Sequence, residues 1–172
     1  MPRFLKTTFN IKGFLNENGC SGLADIQVTG VSDSNVGGKS TITDYVKGPL
    51  PAEGTILLVR ESIEGYACIV VNNPTIMLYK LISYLAIKVG FQNLTTGIVC
   101  SDINIGKNVV IEDDVEIAAG TVIEHNVVIH SGTKIGNNCV IRSGSIIGGQ
   151  GYGFGLDESD NYIRQPFIGG VI

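Results

Sequence analysis

The stretch Val115-Glu-Ile-Ala-Ala-Gly-Thr-Val-Ile-Glu-His-Asn-Val-Val-Ile-His-Ser-Gly132 places isoleucine at 117, 123 and 129. Extended in both directions, the spacing of six holds for Val99, Ile105, Ile111, Ile117, Ile123, Ile129, Ile135, Ile141 and Ile147 without a miss. Neither a 3.6-residue helix nor a two-residue strand alternation selects every sixth position, so the period belongs to a repeating unit of six. Two residues before these positions stand compact side chains: Ile103, Val109, Val115, Thr121, Val127, Thr133, Cys139 and Ser145. Three residues after them stand Asn108, Asp114, Gly120, Asn126, Gly132, Asn138 and Gly144, residue types that tolerate the left-handed backbone region.

Two inward columns and a corner column describe short strands joined by tight corners, three per coil. The prediction is a left-handed parallel β-helix of hexapeptide repeats, each coil bonded to the next, an exception to the usual right-handed crossover. The hexads make roughly three coils, about 14 Å tall. Each buried isoleucine contributes about 1.5 to 3 kcal/mol, which makes the ladder scaffold rather than site. After Ile147 a glycine-rich and then acidic run, 148–167, reads as an inserted loop, with Val171 falling back into the isoleucine register. The run 168–172 reads as a fresh strand, and the chain as cut short at its carboxyl end.

Residues 1–95 follow another pattern. Strand-like runs at 26–31, 40–46, 55–60 and 67–71 are separated by Gly, Asp, Asn and Pro. A helix then starts at Asn73 and Pro74, carries Met77, Leu78, Leu81, Ile82, Leu85 and Val89 at helical spacing, and stops at Gly90. The expectation is a small α/β domain over 1–95, preceding a β-helix over 96–172 that is incomplete.

Composition excludes several classes. A net charge of -4 with no run of Lys or Arg gives no footprint for nucleic acid. The apolar run 79–89 is interrupted by Lys80 and Lys88 and is too short to span a bilayer, so a soluble cytoplasmic protein is expected. Cys20, Cys68, Cys100 and Cys139 are too scattered for a zinc site or a disulfide framework, and read as reduced and buried.

The Asn-Asn-Pro-Thr-Ile-Met-Leu helix start at 72–78, the hexapeptide ladder and the Gly-Tyr-Gly-Phe run at 151–154 ahead of Gln165-Pro166 occur together. So do Asp25-Ile-Gln-Val-Thr-Gly-Val-Ser and Ser143-Gly-Ser-Ile-Ile-Gly-Gly-Gln-Gly-Tyr-Gly-Phe. The combination resembles the UDP-3-O-acylglucosamine N-acyltransferase family of lipid A biosynthesis, over nearly the whole chain. The resemblance implies a homotrimer with active sites in clefts between neighbouring prisms. It implies transfer of a hydroxyacyl group from acyl carrier protein, as its thioester, to the amino group of a UDP-linked acylated glucosamine, with no bound cofactor or metal. The family's base is a histidine on a coil beyond the Gly-Tyr-Gly-Phe run, so the resemblance implies no catalytic histidine, and no transfer, within these 172 residues.

Around the uracil the family carries an aromatic residue, an asparagine and a tyrosine, at positions that align with Ile42, Tyr45 and Gly48 here. Tyr45 is the candidate to stack on the base and Asp44 to accept an imide hydrogen bond; a plain turn pair is the alternative. Tyr152 and Phe154 are candidates to touch the acyl chain or a neighbouring subunit, on a flexible flap.

His125 and His130, the only histidines, fall at outward or corner positions. Three readings stand: solvated or subunit-contact residues; a metal site, which would need a third ligand; or, for His125 beside Glu124, the base of an acetyl-CoA-dependent nucleotide-sugar N-acetyltransferase. A non-catalytic trimeric binding or scaffold protein is the remaining possibility.

Overall fold

The computed structural model describes residues 3–20, 25–32, 37–93, 97–168 and 170–172. The chain divides into two compact units, one of residues 1–92 with 152–166, the other of residues 93–151 with 167–172.

The first unit is built on a five-stranded sheet of β1 (Arg3–Asn10), β2 (Gln27–Val31), β3 (Thr41–Asp44), β4 (Ile56–Val59) and β5 (Ala67–Val70), in that spatial order. The first pair is antiparallel and the remaining three are parallel. All four residues of β4 are buried, as an apolar strand inside a parallel sheet should be. Between β1 and β2 runs α1 (Lys12–Glu17), and after β5 comes α2 (Pro74–Lys88). Helix α2 starts where the sequence places it: the Asn73 side chain accepts the Ile76 N–H at 3.2 Å and Pro74 fills the first turn. It buries Ile76, Leu78, Leu81, Ile82 and Leu85.

The second unit is a stack of two-residue strands: β6 (Asn104–Ile105), β7 (Val110–Ile111), β8 (Glu116–Ile117), β9 (Val122–Ile123), β10 (Val128–Ile129), β11 (Lys134–Ile135), β12 (Val140–Ile141) and β13 (Ile146–Ile147). Each pairs in parallel with the strand 18 residues on, giving three sheets of order β6-β9-β12, β7-β10-β13 and β8-β11. This is a parallel β-helix of hexapeptide repeats with an 18-residue coil. All seven predicted corner residues, from Asn108 to Gly144, have positive φ, between 56° and 79°. Val99 is in register too, bridging Ile117. Within the isoleucine column the buried members are Ile117, Ile123, Ile129 and Ile135, whereas Ile105 is 45% exposed, because the outer coils have a neighbour on one side only.

The excursion after Ile147 is a hairpin rather than an irregular loop. Strands β14 (Phe154–Leu156) and β15 (Tyr162–Arg164) pair antiparallel. The Asp157 carboxylate closes their turn by accepting the N–H groups of Ser159 and Asn161 at 2.9 and 3.0 Å. The hairpin packs on α2 within the first unit, and at Gly155 a Cβ would collide with Ile76. Val171 does return to the coil ladder, but in the compact column rather than the isoleucine column. Glu116 N donates to Thr133 O, 17 residues on, whereas Lys134 N donates to Val171 O, 37 residues on. The excursion therefore inserts 20 residues, not a whole number of hexads. The four cysteines are free and half-buried, less enclosed than their chemistry suggested.

Candidate functional site

Parallel sheets offer ligands the crevice beyond the carboxyl ends of their strands. Here the chain leaves β3 into Tyr45 and Val46, leaves β4 into Arg60 and Glu61, and enters α2 at Pro74. These residues line a cavity of about 270 Å³. Tyr45 is half-buried and its hydroxyl donates to the Gly48 carbonyl at 2.6 Å, which fixes the ring. Asp44, its predicted companion, is not on this cavity. Its Oδ2 accepts the Thr75 hydroxyl at 2.6 Å, so the carboxylate ties the end of β3 to the first turn of α2. Arg60 and Glu61 were missed by sequence reasoning, since a charged pair after an apolar strand has the look of a solvated turn.

A second cavity of about 510 Å³ lies between the end of α1, the end of β5 and the start of α2, with Cys20, Asn72, Lys80 and Glu158 among its walls. Burial pushes the Cys20 thiol above its ordinary value. Lys80 is 3.9 Å from Asp157, whose other bonds belong to the hairpin turn.

The two aromatic candidates sit on the outward face of the hairpin. Tyr152 is 94% exposed and packs edge-on against Phe154 at 5.0 Å; Phe154 meets Tyr162 at 6.3 Å in the same manner. Leu156 lies beside them, also exposed.

Both histidines face outward, as their positions in the repeat predict, but neither is partnered by a residue next to it in sequence. His125 accepts the Lys107 N–H on Nδ1 at 2.7 Å, so its neutral ring carries the proton on Nε2 and offers a substrate amine no free lone pair. Glu124 does not orient it. That carboxylate instead accepts the Arg142 guanidinium at 2.8 Å and the Ser143 N–H at 2.9 Å, both on the next coil. Glu112 repeats the device one hexad pair earlier, with His130 Nδ1 at 3.0 Å and the Ser131 N–H at 2.9 Å. Backbone donation first, then the cationic or imidazole partner, holds both glutamates below the usual carboxylate range. Among the described residues no three His, Cys, Asp or Glu side chains gather as a metal site. No described helix is long and apolar enough to cross a membrane.

With this geometry in hand, the comparison with known families gives a class for the coils. Residues 114–149 match the family described as bacterial transferase hexapeptide (six repeats). The match covers the central coils of the second unit, including the buried Ile117, Ile123, Ile129 and Ile135. No curated protein matches the chain.

Proposed function

We propose that the protein is an N-acyltransferase acting on a UDP-linked glucosamine derivative in the cytoplasm, with an acyl carrier protein thioester as the acyl donor. The observation that carries this reading is the match of residues 114–149 to bacterial hexapeptide transferases, in a chain that also has the 151–154 motif and the 72–78 helix start. The first unit holds the nucleotide end at the Tyr45 cavity, and Tyr152 and Phe154 present an apolar surface to the acyl chain. A homotrimer is supported by the coils: the sheet β7-β10-β13 turns Val110 and Ile146 outward, 53% and 67% exposed, with Val128 between them.

The chemistry requires a new C–N bond at the acyl carbon, loss of the thiolate and removal of one amine proton. The test is direct. The chain is incubated with a UDP-linked 3-O-acyl-glucosamine and hydroxyacyl-loaded acyl carrier protein, and amide product is sought by mass spectrometry. A parallel arm replaces the donor with acetyl-CoA. Amide from the carrier-protein arm supports the reading; amide from acetyl-CoA alone shifts it to a nucleotide-sugar N-acetyltransferase. Because the resemblance implies no catalytic histidine within these 172 residues, absence of amide in both arms agrees with it, and the reading then stands on the nucleotide. A folded chain that binds no UDP-linked glucosamine in calorimetry abandons the enzymatic reading in favour of the scaffold one.

A further inference from the structure

Resting on that reading of the first unit as a nucleotide holder, we infer that Glu61 and Arg60 are the residues that select a uridine nucleotide there, Glu61 by its base and Arg60 by its phosphate. The cavity beyond β3 and β4 has one fixed aromatic ring, Tyr45, held by its bond to Gly48 O, and apolar walls in Val59, Ile63 and Pro74. A slot of that make-up accepts a flat ring. Its volume, about 270 Å³, lies at the low end for small-ligand sites and suits a single-ring base with its ribose rather than a whole nucleotide-sugar.

Two full charges also line this slot. Arg60 and Glu61 are both exposed, and neither forms an ion pair or hydrogen bond with any described residue. Adjacent opposite charges that do not engage one another leave a carboxylate wanting a donor and a guanidinium wanting an anion. Uracil supplies the first: its imide N3–H is a donor flanked by two carbonyls, and a carboxylate accepts it in a charge-assisted bond. Cytosine presents an unprotonated N3 at that place, a lone pair facing a negative charge. The phosphate of the nucleotide supplies the second, for which a guanidinium is the best-suited side chain. Asp44 does not compete for the imide, because its carboxylate already holds Thr75. Base selection therefore moves from the β3 end, where sequence alignment looks for it, to the β4 end.

The experiment is a set of calorimetric titrations of the full chain with uridine, UMP, CMP and GMP. UMP binds more tightly than CMP by about tenfold or more, the size expected of one hydrogen bond to a charged group. In Arg60→Met, UMP weakens by about tenfold while uridine is unchanged. In Glu61→Gln the gap between UMP and CMP narrows, since an amide can donate to the cytosine N3. Three results overturn the inference: CMP or GMP matching UMP, Arg60→Met weakening uridine and UMP alike, or Glu61→Gln leaving the preference intact. Both substitutions are at exposed positions, so folding is preserved, which near-ultraviolet dichroism checks. The two readings fail differently: no binding of any of these nucleotides by the folded chain removes the nucleotide-holder reading and this inference with it, whereas nucleotide binding without UMP selection removes this inference alone.

Discussion

Thr121 and Thr133 stand in the same inward column of the repeat and both are fully buried, yet they are not equivalent. Thr121 Oγ1 donates to the Gly136 carbonyl at 2.9 Å and accepts the Cys139 N–H at 3.2 Å, partners 15 and 18 residues further on. The same offsets from Thr133 lead to Gly148 and Gly151, where the hexads give way to the hairpin excursion. Its hydroxyl has no partner among the described residues. Gly148 passes so close that a Cβ there would collide with that oxygen. Burying a hydroxyl without a bond is costly, whereas removing one that is doubly bonded strands its partners. Opposite outcomes are therefore expected from one substitution. Thr121→Val should cost about 1 to 2 kcal/mol, and Thr133→Val should be neutral or stabilising by up to about 1 kcal/mol. Chemical denaturation of the two variants measures this, and an equal loss at both sites would mean that the Thr133 hydroxyl is bonded in solution.

At the scale of elements the coils are laced by more than their backbone ladder. Glu112 and Glu124 each reach across to the following coil, accepting one backbone N–H together with side-chain donors, His130 for Glu112 and both Arg142 and the Ser143 hydroxyl for Glu124. A carboxylate with a depressed value stabilises the fold fully above its ordinary range and stops doing so as pH falls through the lowered one. Glu124→Gln should therefore lower the thermal midpoint at neutral pH, and the gap to the unmodified chain should close in acid below the usual glutamate range. A gap that persists unchanged in acid would show that charge at Glu124 is not what the clamp uses. These clamps also mark the limit of what could be read from sequence. The isoleucine, compact and corner columns were legible because stacking at 18 residues projects onto a spacing of six, and Asn, Asp and Gly announce positive φ. The same stacking hides side-chain partners: Glu124 looks paired with His125 beside it, but its partners lie on the next coil. Val171 was misplaced because counting in sixes across the excursion assumes whole hexads. Strand β1 and helix α1 gave little signal, since β1 buries only Leu5 and α1 has six residues and no side-chain cap.

For the molecule as a whole, the coil stack does not present three similar faces. The sheet β8-β11 points Glu116 and Lys134 outward, and they form an ion pair at 2.8 Å, which a surrounding of water suits. The sheet β7-β10-β13 shows only Val110, Val128 and Ile146, a continuous aliphatic column that costs free energy while solvated. The sheet β6-β9-β12 is intermediate, with Asn104 at one end and Val122 and Val140 after it. Apolar residues repeating at one position of every coil, rather than scattered, form a straight strip, and three copies that turn this strip toward a common three-fold axis cover it in a closed ring without leaving an open end. The proposed trimer therefore uses the β7-β10-β13 face and leaves the Glu116–Lys134 face in water. Sedimentation equilibrium should find the unmodified chain at three times its monomer mass and Ile146→Lys as a monomer, because a charge at a position 67% exposed leaves the fold intact but cannot be buried in a contact. Lys134→Ala, on the charged face, should remain trimeric. If Ile146→Lys stays trimeric while Lys134→Ala dissociates, the assembly uses the charged face instead; a monomeric unmodified chain at micromolar concentration would remove the trimer altogether.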